Sequence, residues 1–555
     1  MPAPAIRKQL FALSFLYTVV PLALYLWRYK VIAPIYLFSD DTFYYLDIAR
    51  NSLNRPGFTF DGQHITNGFH PLWQWILFGL GRFHLVHYDD LTGTLMRVFA
   101  LDVLLLGLAA GFFCVACARY FRQPMLALLT VAPGLFWLLS LGVSPVYFST
   151  WYYANGMESA VALLFFSLAL LFYADGELSP PRLLLVSICL GLTVLSRLDD
   201  VFLVGSIAIW ILLKSSPQGR LNKLVSLSPI ALLLAAYLAY NRITVGVFLP
   251  LSGAAKATLA VGMNLKWTLR LFAPIFTGDP PAYLRTLATR GIFLESTIRQ
   301  IQMIFPAALC AVELIYRSRK KYAFTFFHAA AIGVILKAAY NVCFVQNFDQ
   351  GPWYYTVSIA ISNFFLVLWI SRVVTVAWPN ALEEARARWK FAGVHLLAVL
   401  FVLNIYFNTR NVAGSKIHMA SLDHLDQIHA KLQSLQADKL VELDDGFIGY
   451  ISGASTVGGL GLVLDKEAAQ ALKHGHFLDV MYRRGYRVMV GEAGYGAAAD
   501  VVAAQAAQGH FAALFKLSPD EFRAYRLMPA GGDGVVDGLY YFRIVPAAEA
   551  TASAP

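Results

Sequence analysis

Charge is scarce in this chain. Charged residues make up 14% of its 555 positions against 58% hydrophobic, and the mean hydropathy is +0.57. That balance excludes an ordinary soluble enzyme and describes a polytopic membrane protein. Cysteine is scarce too. All five (Cys114, Cys117, Cys189, Cys310, Cys343) fall within apolar runs and none in the polar C-terminal portion. No disulfide framework is available there, so cysteine usage does not report the compartment. Cys114 and Cys117 form a C-x-x-C at the end of a membrane helix, where small apolar packing residues are a better reading than a redox pair. The first apolar run, Leu10 to Trp27, follows Arg7 and Lys8 and lacks a small-residue cleavage site, which reads as an uncleaved first helix. No internal repeat is evident. Gly446-Phe447-Ile448-Gly449-Tyr450 and Gly458-Gly459-Leu460-Gly461 are glycine-rich, but neither is a G-x-G-x-x-G set between a strand and a helix, and both read as turns.

What the chain does have is long apolar stretches. About eleven satisfy the ~20-residue length of a spanning helix: 10–28, 92–116, 124–142, 158–174, 182–198, 201–214, 225–242, 298–316, 322–345, 354–372 and 390–407. Basic residues gather in alternate loops: Arg7 and Lys8, Arg119 and Arg122, Arg182, Lys214 with Arg220 and Lys223, Arg386 with Arg388 and Lys390, and most densely Arg317-Ser318-Arg319-Lys320-Lys321. The positive-inside rule puts these loops and the N-terminus in the cytoplasm. The net charge of +10 is thereby a matter of topology, and nucleic acid is not a partner. The expected location is a bacterial inner membrane, with the remaining loops and the chain after 408 on the periplasmic or exterior side. The expected fold class is a polytopic α-helical membrane protein over 1–408 with outer interfacial helices. A C-terminal α/β soluble domain over 409–545 and a disordered small-residue tail at 546–555 follow.

The first outer loop, 29–91, carries the densest chemistry. Two adjacent carboxylates, Asp40 and Asp41, stand where the first helix leaves the bilayer, ahead of a short helix from Phe43 onward. Charges near a bilayer are costly, so their default reading is functional, and paired carboxylates often divide roles. The competing reading is an N-cap, for which one aspartate suffices. Asp47 and Arg50 are spaced i,i+3 for a local ion pair. Residues 57–68 form a polar turn region, and Phe69–Phe78, with Trp73 and Trp75, reads as a helix lying in the interface plane. His64 and His70 share the loop with the aspartates. A divalent cation held by Asp, His and His is chemically open, but the spacing matches no ligand pattern, and hydrogen-bonding roles are favoured. No cofactor is assigned.

In order along the chain, these elements resemble the GT-C superfamily of polytopic glycosyltransferases, which move a sugar from a polyprenyl-phosphate carrier on the outer side of the membrane. The resemblance rests on Asp40-Asp41 and Tyr45-x-x-x-Ala49-Arg50-Asn51. Gly57-Phe58-Thr59-Phe60-Asp61-Gly62 and Thr66-Asn67-Gly68-Phe69-His70-Pro71-Leu72-Trp73 continue it. This run is similar to bacterial members related to arabinofuranosyltransferases, the lipid A aminoarabinose transferase and protein O-mannosyltransferases. Asn155-Gly156-Met157-Glu158-Ser159, Ser196-Arg197-Leu198-Asp199-Asp200, and Tyr240-Asn241-Arg242 through Lys256 resemble later elements. Motifs cover about the first 260 residues, and architecture alone the remainder. The chain has Asp-Asp where the aminoarabinose transferase pattern has Asp-Glu, so the sugar is not carried over.

The resemblance implies a lipid-linked sugar donor and a glycan, lipid or protein acceptor. It makes Asp40 the general base, with Asp41 as orienting partner or second-choice base. Lys256 is a candidate for the carrier phosphate, as a compact cation, or else a snorkelling interfacial lysine. Arg197 is a second phosphate candidate, against a structural ion pair with Asp199 or Asp200. Glu158 touches a sugar hydroxyl or N-caps a helix. Tyr354 stacks on a sugar face or belongs to an aromatic belt. Asn67, His64, His70, Asp199 and Asp200 complete the substrate-binding candidates. A flippase for lipid-linked sugars is the competing class. Such transporters often show two related halves with midplane charges, which this sequence does not, and eleven spans are excessive for a scaffold.

Overall fold

The computed structural model describes residues 3–121, 124–131, 153–173, 178–214, 217–256, 261–262, 292–345, 352–377, 425–442, 446–459, 461–492, 521–530, 535–536 and 539–552. They fall into two compact units, Met1–Lys30 with Phe99–Ala235 and Ala257–Val412, and Val31–Val98 with Ala236–Lys256 and Ala413–Pro555.

Among the described residues five helices are long and apolar enough to cross a membrane: Pro4–Tyr29, Leu91–Tyr120, Gly219–Thr244, Phe326–Phe344 and Trp353–Val373. The expected stretches at 10–28, 92–116, 225–242, 322–345 and 354–372 fall on them. Three others form shorter apolar helices, Ser159–Phe172, Pro180–Ser196 and Val201–Leu213. At 1.5 Å per residue these rise about 20–26 Å, somewhat short of a ~30 Å hydrocarbon core. The stretch at 298–316 lies within a helix over Ile292–Arg319. That at 124–142 is described only to Val131, as a 3₁₀ helix from Pro124, and that at 390–407 lies outside the described residues.

The first unit is a helical bundle with an apolar core. Phe327 stacks on Phe364 at 3.6 Å between ring centroids, and Ala329, Ala330 and Ala331 are buried beside them. Gly333 lets the Phe326–Phe344 helix sit close on Val201–Leu213: a Cβ there would lie 2.3 Å from the Leu203 Cα. Small residues at such a contact let two helix backbones approach where lipid offers no hydrophobic drive.

The second unit combines short helices with a six-stranded sheet in the order β2-β1-β3-β6-β4, β5 pairing with β6. Strand β1 (Lys439–Glu442) is parallel to β2 (Ser455–Gly458) and β3 (Val488–Glu492). Strand β6 (Leu539–Pro546) runs antiparallel to β3, to β4 (Tyr525–Pro529) and to β5 (Val535–Val536). The parallel strands carry buried runs (Leu440, Val441; Val488, Met489, Val490), as strands covered on both faces do. The helix Lys466–His474 starts on Asp465, whose side chain accepts from the Glu467 and Ala468 N–H groups, and stops at Gly475 in the left-handed region. Ala547–Ala552 forms a helix where the small-residue composition suggested no regular structure.

In the same unit the helix Asp40–Ser52 begins three residues earlier than the apolar spacing predicts, with Ser39 in the N-cap position in extended geometry. Asp40 and Asp41 are therefore both first-turn residues rather than caps. The reason is electrostatic: carboxylates next to the exposed N–H groups and positive dipole end of a helix favour extending it to include them. The helix predicted over 69–78 runs from Pro71 to Arg82, Pro71 sitting at the first turn where its missing N–H costs nothing. It buries Trp73, Gln74 and Leu77 while Trp75 stays 48% exposed, the two-sided character expected of a helix at an interface.

Candidate active site and its supporting clusters

The Asp40–Ser52 helix is held along its length. Asp40 and Asp41 are half-buried, and every residue from Thr42 to Ala49 is buried. Phe43 meets Phe447 edge-on at 4.7 Å. Asp47 pairs with Arg50, as the i,i+3 spacing predicts. The Arg50 guanidinium reaches further, donating to the Tyr450 carbonyl at 3.1 Å and lying 4.9 Å from the Tyr450 ring centroid. Asp47 is 1% exposed, and its second oxygen has no hydrogen-bond partner among the described residues. Burial pushes its carboxyl up to about 7, against the opposing pull of Arg50. Opposite the helix, Gly446 (φ +107°) comes so near that a Cβ there would stand 2.6 Å from the Tyr44 nitrogen. The short helix Phe447–Ser452 is capped from the end of β1, with Glu442 accepting from the Ile448 and Gly449 N–H groups at 2.7 and 3.1 Å.

The polar turn after this helix is equally built. Asn67 is fully buried, its Oδ1 accepting from the Leu251 N–H at 3.0 Å and its Nδ2 donating to the Leu249 carbonyl at 3.4 Å. That amide joins two chain segments and is spent on backbone. His70 donates its backbone N–H to the Tyr45 hydroxyl at 3.1 Å. His64 is turned instead onto Asp61, Nδ1 to Oδ2 at 2.6 Å. Asp61 is marked in the sequence only by the Asp-Gly pair of a tight turn, which carries no functional signal of its own. The structure thus separates His64, partnered with Asp61, from His70, and among the described residues no group of three or more His, Cys, Asp or Glu side chains is arranged to hold a metal ion. Lys256 ends the helix Leu251–Lys256, and its side chain lies outside the described residues.

In the first unit the structure brings Glu158, Lys337 and Tyr354, far apart in sequence, to the Arg197–Asp200 segment. Arg197, 2% exposed, pairs with Glu158 and, at 3.0 Å, with Asp199, and it lies 4.0 Å from the Tyr354 ring centroid. Asp200 is not its partner. That carboxylate binds Lys337 at 2.6 Å, and Lys337 also reaches Asp199 at 3.1 Å. The ion-pair reading of Arg197 therefore has the geometry it needs, with Glu158 in place of Asp200. Glu158 occupies the N-cap position of its helix, yet its side chain caps no helix N–H; the buried guanidinium takes it because an unpaired buried charge costs far more than an open cap. Lys337, 1% exposed, is the residue the sequence reading missed. Its signal was a lone charge inside an apolar run, the kind that is functional by default. Asp102, also buried in a spanning helix, accepts from the Gly156 N–H at 2.9 Å and steadies the Asn155–Glu158 turn. A separate buried set joins Glu313 to Arg372 through two bonds of 2.5 and 2.9 Å, with His328 at 3.2 Å.

Chemically, the first group offers two adjacent carboxylates on a rigid helix end, and the second a buried charge network of Arg197, Lys337, Glu158, Asp199 and Asp200 beside an aromatic face. No protein-family model matches the sequence, and neither does any curated protein. Solved structures do match. The archaeal oligosaccharyltransferase AglB from Archaeoglobus fulgidus, in complex with an inhibitory peptide and a dolichol-phosphate, is 13% identical, aligns with 99% of this chain and 75% of its own, and gives a TM-score of 0.51. ArnT from Cupriavidus metallidurans bound to undecaprenyl phosphate is 14% identical over 95% of this chain and 97% of its own, TM-score 0.49. Its apo structure is 13% identical over the same shares, TM-score 0.36. Across nearly its whole length, then, this chain shares the fold of the oligosaccharyltransferase AglB.

Proposed function

We propose that the protein is a membrane glycosyltransferase that moves a single sugar, with a pentose such as arabinofuranose among the candidates, from a polyprenyl-phosphate carrier to a cell-envelope acceptor on the outer face of the cytoplasmic membrane. The observation that carries the reading is the carboxylate pair on the first turn of the Asp40–Ser52 helix in a chain with the AglB fold. AglB is an oligosaccharyltransferase solved with a dolichol-phosphate, which supports a lipid-phosphate donor here. The donor's phosphate is already a leaving group, so the protein has to supply position, proton removal and charge stabilisation.

Asp40 takes the proton of the acceptor hydroxyl as the acceptor oxygen bonds to the anomeric carbon. The bond from that carbon to the phosphate oxygen breaks, and the phosphate leaves on its lipid. One displacement inverts the anomeric configuration, as in glycosidases that use a general base. Asp41 orients the pair. Arg197 and Lys256 are the cations for the departing phosphate, and Tyr354 offers a ring face beside Arg197. Glu158, Asp199 and Asp200 hold Arg197 and Lys337 in one arrangement, which is a positioning role. His64, Asn67 and His70 shape the acceptor side.

The test is transfer of labelled sugar from purified polyprenyl-phosphate donors by wild type, Asp40→Asn and Asp41→Asn, with folding checked. Asp40→Asn should lose transfer by about 10²-fold or more while still binding donor. Normal transfer by both variants would remove the base assignment. Movement of intact lipid-linked sugar across vesicles without cleavage would replace the enzyme by a flippase.

A further inference from the structure

Asp61 is the most heavily used carboxylate in the polar turn. Its Oδ1 accepts from the Gln63 and His64 N–H groups at 2.8 and 2.7 Å and from the Thr59 hydroxyl at 3.2 Å. Its Oδ2 receives the His64 imidazole at 2.6 Å and the Tyr486 hydroxyl at 3.3 Å. A carboxylate whose two oxygens already accept four other donors is fixed in place and accepts from the ring as well, so the His64 Nδ1 carries the hydrogen. In the neutral ring the other nitrogen, Nε2, is then a lone-pair acceptor. Nε2 has no hydrogen-bond partner among the described residues, and the side chain is 33% exposed. Burial, reinforced by Asp61, pushes the Tyr486 hydroxyl up, so it stays a donor to Asp61.

The His64 ring lines a small cavity together with Phe60, Asp61, Val457, Val463, Leu464 and Asp465, of about 10 Å³. That is room for one water-sized group and far too little for a sugar ring or a phosphate. Asp465, on the far wall, is committed: it accepts two helix N–H groups and pairs with Arg484 at 2.6 Å. Burial alone would raise its carboxyl, but Arg484 outweighs burial and holds it below the usual carboxylate range. The available acceptor is His64, with Phe60, Val457, Val463 and Leu464 beside it, which suits a single hydroxyl flanked by C–H groups.

We infer that the Asp61–His64 pair is an acceptor-recognition site: His64 Nε2 accepts a hydrogen bond from one hydroxyl of a carbohydrate that lies over the cavity mouth, and Asp61 is the positioning residue that fixes the imidazole. The inference rests on the glycosyl-transfer reading for the nature of the ligand, though not on Asp40 as the base.

The full chain in detergent is reacted with diethyl pyrocarbonate, which attacks a neutral Nε2, with and without a panel of methyl pyranosides and furanosides, and modification is read by peptide mass spectrometry. His64 should react in wild type and be slowed several-fold by at least one glycoside, with that protection lost when the one inserting hydroxyl is replaced by hydrogen. Asp61→Asn should keep His64 reactive but abolish protection. In transfer assays with labelled polyprenyl-phosphate donor, His64→Ala should raise acceptor KM about fivefold to tenfold, the worth of one hydrogen bond. Donor KM and kcat should stay unchanged, and His64→Gln, which keeps the backbone bonds to Asp61, should recover part of the loss. Equal modification rates with every glycoside, or an unchanged acceptor KM in an active His64→Ala enzyme, would overturn the site and indicate bound water only. Wild type that cleaves no donor yet shows hydroxyl-specific protection would sink the transferase reading while leaving the site standing.

Discussion

A single buried carboxylate, Asp47, shows how much one residue's surroundings decide. Its pairing with Arg50 follows from i,i+3 spacing, but its near-complete burial and half-satisfied hydrogen bonding do not. With the folded carboxyl at about 7, the folded state holds a proton that the unfolded chain gives up above about pH 4. A raised folded value means stability fully present below the unfolded value and lost as pH rises through about 7, by a few kcal/mol at most. Thermal unfolding of the detergent-solubilised protein should therefore show Tm falling between about pH 4 and pH 8. Asp47→Asn should flatten that slope; parallel curves for the two proteins would show that Asp47 does not carry it. Lys337 makes the complementary point. Its place in the middle of an apolar run is visible in the sequence, but the identity of its partners is not, because Asp199 and Asp200 lie more than a hundred positions away.

Among the elements, the Asp40–Ser52 helix is defined as much by its neighbours as by its own residues. Its amphipathic spacing, its acidic first turn and Arg50 in its last turn are local and were legible. The segment that fits against it, Gly446 and the helix Phe447–Ser452, read from sequence only as a glycine-rich turn. The glycine has a steric cause: positive φ together with a backbone nitrogen where a Cβ would go. Gly446→Ala should cost about 2–4 kcal/mol from strain and displacement. It should also speed amide hydrogen exchange over residues 40–52, read by mass spectrometry. Unchanged exchange there would mean the contact does not hold the helix. Asp40 and Asp41 illustrate the limit of capping rules, since adjacent acids are equally compatible with an N-cap and a first turn until the start of the helix is seen.

At the scale of the whole molecule, membrane orientation rests on charge. The orientation we propose, with the Arg317–Lys321 cluster in the cytoplasm and the C-terminal sheet outside, follows the positive-inside rule. Four of the five cysteines are buried and Cys343 is partly so, which allows a labelling experiment after Cys343→Ser. In intact cells a membrane-impermeant maleimide should modify Lys473→Cys, at an exposed position. Arg319→Cys should react only after permeabilisation. The reverse pattern would invert the topology and with it the outer-face reaction.

By itself the sequence determined the class of protein, the five helices among the described residues that are long and apolar enough to cross a membrane, the amphipathic helix after residue 70 and the place of the acidic pair, because each depends on local spacing and on the cost of charge near lipid. Three things were decided only in three dimensions. Glu158 joins Asp199 as a partner of Arg197; Asp61 is the residue that orients His64; and Gly446 meets the helix that bears the aspartates. Arg197 and Glu158, and Gly446 and the Asp40–Ser52 helix, are far apart along the chain, while Asp61 and His64 are close in sequence and paired by the shape of the turn; in each case the choice among several chemically equal carboxylates or glycines is made by which groups the fold brings within a few ångströms.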